Sequence, residues 1–111
     1  MEKIIFTEEQ QNVLEDAIRI YSTESQLRQT NEELTECSLA ILKLERAKDN
    51  NLHLGEIYKR EEELMGEIAD VLIMINQLLL VFDPVQIQQM INFKLRRQRK
   101  RIDERIEQTT K

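Results

Sequence analysis

Two pairs of acids stand out in this chain. Glu33 and Glu36 are three residues apart, and so are Glu67 and Asp70. The second pair lies in GEIADVLIMI, residues 66–75, the start of the most apolar part of the sequence. A carboxylate on the dry side of a helix costs several kcal/mol unless it is paired with a cation or bound to a metal.

Helical residues turn by about 100° each. With Glu67 set at zero, Leu78 falls at about 20°, Val71 at about 40°, Leu64 at about 60° and Ile75 at about 80°. Glu67 therefore lies inside the apolar stripe. Asp70, at about 300°, lies on its edge beside Met74 at about 340°. With Glu33 set at zero, Leu44 falls at about 20°, Cys37 at about 40°, Ile41 at about 80° and Ala40 at about 340°. Glu36 takes the same offset of about 300° as Asp70. Two helices thus each place an acid pair on the rim of a core-facing stripe. Packed antiparallel, they bring four carboxylates together.

Four converging carboxylates do not all stay ionised without cations. Oxygen-only donors suit hard metals: Mg²⁺, Mn²⁺ or Ca²⁺. Cys37 and His53 are the only residues of their kinds and have no zinc-type spacing. A di-iron site is disfavoured too, because no Glu precedes His53 by three. The bland alternative is that the acids are helix-rim groups paired with Lys43, Arg46 or a basic residue of the last helix. Most other acids, such as Glu61, Glu62 and Glu63, read as solvated surface.

The elements that must position these pairs read as helices. The chain has 111 residues with only 2 Gly and 1 Pro, fewer than strands and tight turns need. Thr7, with Glu8, Glu9 and Gln10 after it, reads as a capping box opening a first helix. Ser22 or Thr23 caps a second helix that runs to about Lys48. Asp49-Asn50-Asn51 breaks it, and a loop is expected as far as Gly55. A third helix is expected from about Glu56 to Phe82. Asp83-Pro84 marks the next boundary, since Asp is a good N-cap and Pro suits a first turn. A fourth helix follows from Pro84 to about Glu107, with a frayed tail at residues 108–111. The expected fold is all-α, a bundle of about four main helices. Residues 1–111 form one domain, small enough that oligomerisation is expected. Tyr21, Tyr58, Phe82 and Phe93 read as core in preference to stacking on a base, His53 as surface in preference to catalysis, and Met65, Met74 and Met90 as core or interface filler.

Charge narrows the partners. Residues 1–90 hold 8 basic and 18 acidic side chains, whereas residues 91–111 hold 8 basic and 3 acidic ones. An acidic body is a poor nucleic-acid surface, while the basic end suits phosphate or the acidic body itself. The single cysteine excludes an internal disulfide and fits a reducing compartment. The start, MEKIIFTEEQ, has only a short apolar run, and no run is long enough to span a membrane. The expectation is a cytoplasmic protein without a membrane partner.

The acids also carry a resemblance. EELTE, residues 32–36, followed by EIAD, residues 67–70, resembles the E-E-x-x-E … E-x-x-D signature of MazG-like nucleotide pyrophosphohydrolases, the all-α NTP pyrophosphatase superfamily. YSTESQLRQTNEELTECSLAI resembles the first motif of its short, phage-type members. GEIADVLIM resembles the second motif, and NFKLRRQ, residues 92–98, resembles an N-x-K-[FL]-x-R segment on a later helix. The likeness covers roughly residues 21–102. It departs from the family pattern in the long spacing between Glu36 and Glu67 and in Gly66, where another Glu is common.

The resemblance implies an Mg²⁺-dependent enzyme, with Mn²⁺ as a substitute, that cleaves a nucleoside triphosphate to the monophosphate and pyrophosphate. Glu33, Glu36, Glu67 and Asp70 would be the metal ligands. Glu33 or Glu36 would orient or deprotonate the attacking water, and Glu32 would act behind them. Asn92, Lys94 and Arg97 would face substrate phosphates. A homodimer or homotetramer is implied. Two other readings compete: a non-enzymatic helical oligomerisation module, and a nucleic-acid binder using residues 94–105. The second is opposed by the acidic body and the lack of interleaved aromatics beyond Phe93.

Overall fold

The computed structural model describes residues 3–110. Met1, Glu2 and Lys111, parts of the start and tail discussed above, lie outside them. The described residues form four helices and no strands: α1 (Glu8–Ile20), α2 (Thr23–Asp49), α3 (Leu54–Leu78) and α4 (Pro84–Thr110). The all-α expectation holds.

Local chemistry explains the boundaries. The Thr7 hydroxyl accepts from the Gln10 N–H at 3.1 Å, and Gln10 Oε1 accepts from the Thr7 N–H at 2.9 Å, so the capping box closes from both sides. Ser22 caps α2, its hydroxyl accepting from the Ser25 N–H at 3.0 Å. The far end of α2 is a Schellman motif. Asn51 takes φ of 53°, the left-handed region that Asn tolerates better than other side chains. The Leu52 N–H then reaches the Ala47 carbonyl at 3.1 Å, and the Asn51 N–H reaches that of Lys48 at 3.1 Å.

Three boundaries differ from the sequence expectation. α3 begins at Leu54, two residues early, with His53 as an N-cap whose side chain makes no capping bond. It ends at Leu78 rather than Phe82. Beyond it, the Leu80 and Val81 N–H groups bond three residues back, to Gln77 and Leu78, at 3.0 Å each. The apolar run continues, but the chain tightens into turns ahead of Pro84. At the other end, α4 continues through the expected frayed tail to Thr110. Asp83 opens it as expected, its Oδ1 accepting from the Val85 N–H at 2.9 Å.

The chain divides into two compact units, Met1–Val81 and Phe82–Lys111. In the first, α3 packs against both α1 and α2. Residues early in α2 line clefts with residues late in α3, and the reverse holds, so the two helices run antiparallel. The core of this unit is thin. Leu14, Ala40, Ala47 and Met74 are its buried apolar side chains among the described residues. Ala40 and Ala47 let the backbones approach but contribute little apolar area. The second unit is the single long helix α4 with its lead-in, and it buries no residue.

The aromatic residues correct the sequence reading. Tyr21, Tyr58, Phe82 and Phe93 are all exposed rather than core. Helical spacing places a residue on a stripe, but a stripe wider than the facing helix leaves its margins uncovered.

Candidate metal and phosphate site on the α2–α3 face

The antiparallel pairing of α2 and α3 decides which acids meet. One carboxylate oxygen from each of Glu33, Glu67 and Asp70 lies within 4.8 Å of the others. Glu33 and Glu67 are half-buried, whereas Asp70 and Glu36 are exposed. This is the division that the helical angles predict: stripe positions inward, edge positions outward.

Each acid is held differently. Glu33 Oε1 accepts from Gln29 Nε2 at 2.9 Å, one turn back on α2. Its other oxygen, Oε2, is covered and has no hydrogen-bond partner, and so is Glu67 Oε2. Glu36 is not one of the three that crowd together; it lines the adjoining cleft with Glu67. Among the described residues none of Glu33, Glu36, Glu67 and Asp70 makes an ion pair with a Lys or Arg. Pairing with Lys43 or Arg46, two of the partners that the bland alternative offered, does not occur among the described residues. Glu32, on α2, is exposed.

The electrostatic consequence falls on Glu67. Its carboxyl is held above its ordinary value, first by burial, then by the negative charges of Glu36, Asp70 and Glu33, and by the hydrogen bond to Glu36. Crowded, partly desolvated carboxylates favour the neutral form of one member. A bound cation would relieve the same repulsion.

Two clefts flank the acids along the α2–α3 groove. One, of about 340 Å³, is lined by Glu36, Glu67, Lys43, Arg60, Glu63, Ala40 and Leu39. Arg60 in its wall is half-buried and bonded to Glu56 and Glu63, both at 3.2 Å. Lys43 has no ion-pair partner among the described residues. The other cleft, of about 380 Å³, lies towards the start of α2 and is lined by Tyr21, Ser25, Gln26, Gln29, Met74, Gln77 and Ala17. Gln29, which orients Glu33, is shared between this cleft and the acid cluster.

No known family model matches the chain, and no curated protein or solved structure does either. The site therefore stands on its own geometry.

The residues expected to face phosphate stand on α4, in the second unit. Lys94 is exposed and lines a shallow cleft with Gln86, Gln89, Met90 and Phe93. The Arg97 guanidinium lies 5.7 Å from the Phe93 ring centroid, a cation–π contact. Asn92 Oδ1 accepts from Gln88 Nε2 at 2.9 Å. Within the first unit, the cations beside the acids are Lys43 and Arg60, which sequence reasoning did not assign to phosphate. Their signal was present: Lys43 follows Glu36 by seven residues and Arg60 precedes Glu67 by seven. Seven residues is two helical turns, which keeps each on its acid's face.

Proposed function

We propose that this protein is a divalent-metal-dependent nucleoside triphosphate pyrophosphohydrolase, with its centre at Glu33, Glu36, Glu67 and Asp70. One observation carries the reading. Three carboxylates from two helices crowd within 4.8 Å with no Lys or Arg among the described residues pairing them, and two of their oxygens are covered and unpartnered. A covered acceptor without a donor is unfavourable, the more so when it is charged. A fold keeps such a group when something else satisfies it.

The donor set fits a hard cation. All the donors are carboxylate oxygens, and Glu67's raised proton affinity is the mark of a site short of positive charge. Glu33, Glu36, Glu67 and Asp70 would hold Mg²⁺ or Mn²⁺. When bound, the ion supplies Lewis acidity and a positive charge that turns an acidic groove attractive to a polyphosphate.

The protein's own residues supply the rest. Gln29 fixes Glu33, leaving one oxygen to face the ion. Glu36 is exposed at the mouth, where it would take the proton of the attacking water. As water adds at the α-phosphorus, the α–β bridging bond breaks and its electron pair leaves with pyrophosphate. Lys43 and Arg60, in the adjoining cleft, would neutralise that leaving charge.

Pyrophosphate release tests the reading. Glu33→Gln and Asp70→Asn should each lower it by more than the ~100-fold that losing a mere supporting partner costs. A folded variant of either kind that keeps wild-type, metal-dependent release would contradict it.

A second reading has its own observation. Large apolar side chains such as Ile20, Met65, Val85, Met90 and Leu95 are more than half exposed. An oligomerisation module without catalysis would present such surfaces, but it gives no account of the unpartnered carboxylates. Metal-dependent thermal stabilisation separates the two, because an ion that binds only the folded state raises Tm.

A further inference from the structure

The cleft at the start of α2 holds an unexplained group. Gln26 is 5% exposed, and its Oε1 has no hydrogen-bond partner. Gln77, across the cleft on α3, is 7% exposed. Two buried amides line one hollow of about 380 Å³, together with the buried, apolar Met74 and the exposed Tyr21. Buried amides in a thin core are poor packing material, so their presence asks for a ligand that bonds them.

An amide carries a donor and an acceptor side by side, and its terminal torsion is a two-fold rotor. It matches a neutral planar edge that presents an acceptor beside a donor, as a nucleobase does. Charged side chains, which would favour an ionic ligand, do not line this cleft. Tyr21 offers a ring face on which a flat ligand stacks. Gln29 joins the cleft to Glu33, and Gln26 precedes Glu33 by seven residues, about 10 Å along the helix. That is the reach from a base edge through a sugar to its first phosphate.

We infer that this cleft is a base-reading subsite in which Gln26 and Gln77 hydrogen-bond a nucleobase edge and Tyr21 stacks on its face. The inference rests on the proposed hydrolase for the direction of the chain of phosphates, which then runs from this cleft past the acids towards Lys43 and Arg60. Gln26 and Gln77 would decide which base is accepted.

The test uses the full chain and two assays. The first is calorimetric binding of the ribonucleoside and deoxyribonucleoside 5′-monophosphates, with ribose 5-phosphate as the baseless control. The second is pyrophosphate release from the matching triphosphates. At least one base should bind about tenfold or more tightly than ribose 5-phosphate. Gln26→Leu and Gln77→Leu should erase that preference. Tyr21→Ala, at an exposed position that the fold does not need, should weaken every base alike and serves if the glutamine variants do not fold. Base-selective monophosphate binding that these variants abolish, with no triphosphate cleaved, would uphold the subsite and sink the hydrolase. Triphosphate cleavage with a base ranking unchanged in all three variants would uphold the hydrolase and overturn the subsite. Monophosphates that bind no better than ribose 5-phosphate would also overturn it.

Discussion

At the scale of residues, Glu67 concentrates the tension of the site. Its raised affinity for a proton has a definite linkage sign. An acid that binds its proton more tightly when folded stabilises the fold at low pH. That stability is complete below its ordinary value of 4.5 and is lost as pH rises through the raised value. Without divalent metal, Glu67→Gln should therefore have a higher Tm than wild type at pH 7, and the gap should close near pH 4. Thermal unfolding in EDTA at the two pH values checks this. Adding Mg²⁺ at pH 7 should raise the wild-type Tm and do less for the variant. Metal affinity should fall as pH drops through Glu67's raised value, because protons and the cation compete for one carboxylate. The angular offsets put Glu67 inside the apolar stripe and Asp70 on its edge, with Glu33 and Glu36 in the same relation, and burial follows that order; of the four acids expected to converge, three do, without Glu36. The offsets did not show Gln29, Lys43 or Arg60 as parts of the site. A spacing of four or seven residues is informative only once the acid it refers to is known to face a partner helix.

At the scale of elements, the caps were legible because they are local. The Thr7–Gln10 box and the Asp83-Pro84 start each depend on a few adjacent residues, and both formed as read. The end of α3 was not legible, because its apolar pattern outruns its hydrogen bonding. Two substitutions probe the elements that carry the acids. Gly66 stands next to Glu67 in α3, and an added Cβ there would meet nothing within 4 Å. Gly66→Ala should stabilise the protein by ~0.5–1 kcal/mol without altering the site, as judged by chemical denaturation and metal binding. Asn51 holds the left-handed turn between α2 and α3. Asn51→Val should cost ~1–2 kcal/mol, and Asn51→Gly should cost little or nothing. A larger loss for Gly than for Val would show that the Asn51 side chain, rather than its backbone, shapes the turn.

At the scale of the whole molecule, the imbalance is between apolar surface and core. Among the described residues, four buried apolar side chains do not hold a first unit of three helices firmly, and α4 buries none of its side chains. Most helical stability in proteins comes from packing an apolar face rather than from helix propensity. Association between copies would cover such faces. Sedimentation should show a species of two or four times the 13.3 kDa chain at micromolar concentration. Its Tm should rise with protein concentration, as mass action requires. A 13.3 kDa monomer with a concentration-independent Tm would contradict this. All-helical architecture was legible from two glycines, one proline and the 3.6-residue spacing. The exposure of Tyr21, Tyr58 and Phe93 was not, because a periodic stripe does not say how much of itself a neighbour will cover. Among the described residues no helix is long and apolar enough to cross a membrane.

The most direct measurement is pyrophosphate release from a panel of ribonucleoside and deoxyribonucleoside triphosphates, with Mg²⁺, Mn²⁺ or EDTA, for wild type beside Glu33→Gln. The acid cluster predicts release from at least one nucleotide with either metal, none in EDTA, and a loss of more than ~100-fold in the variant. A folded wild-type protein that releases no pyrophosphate from any nucleotide and gains no thermal stability from either metal would contradict the account.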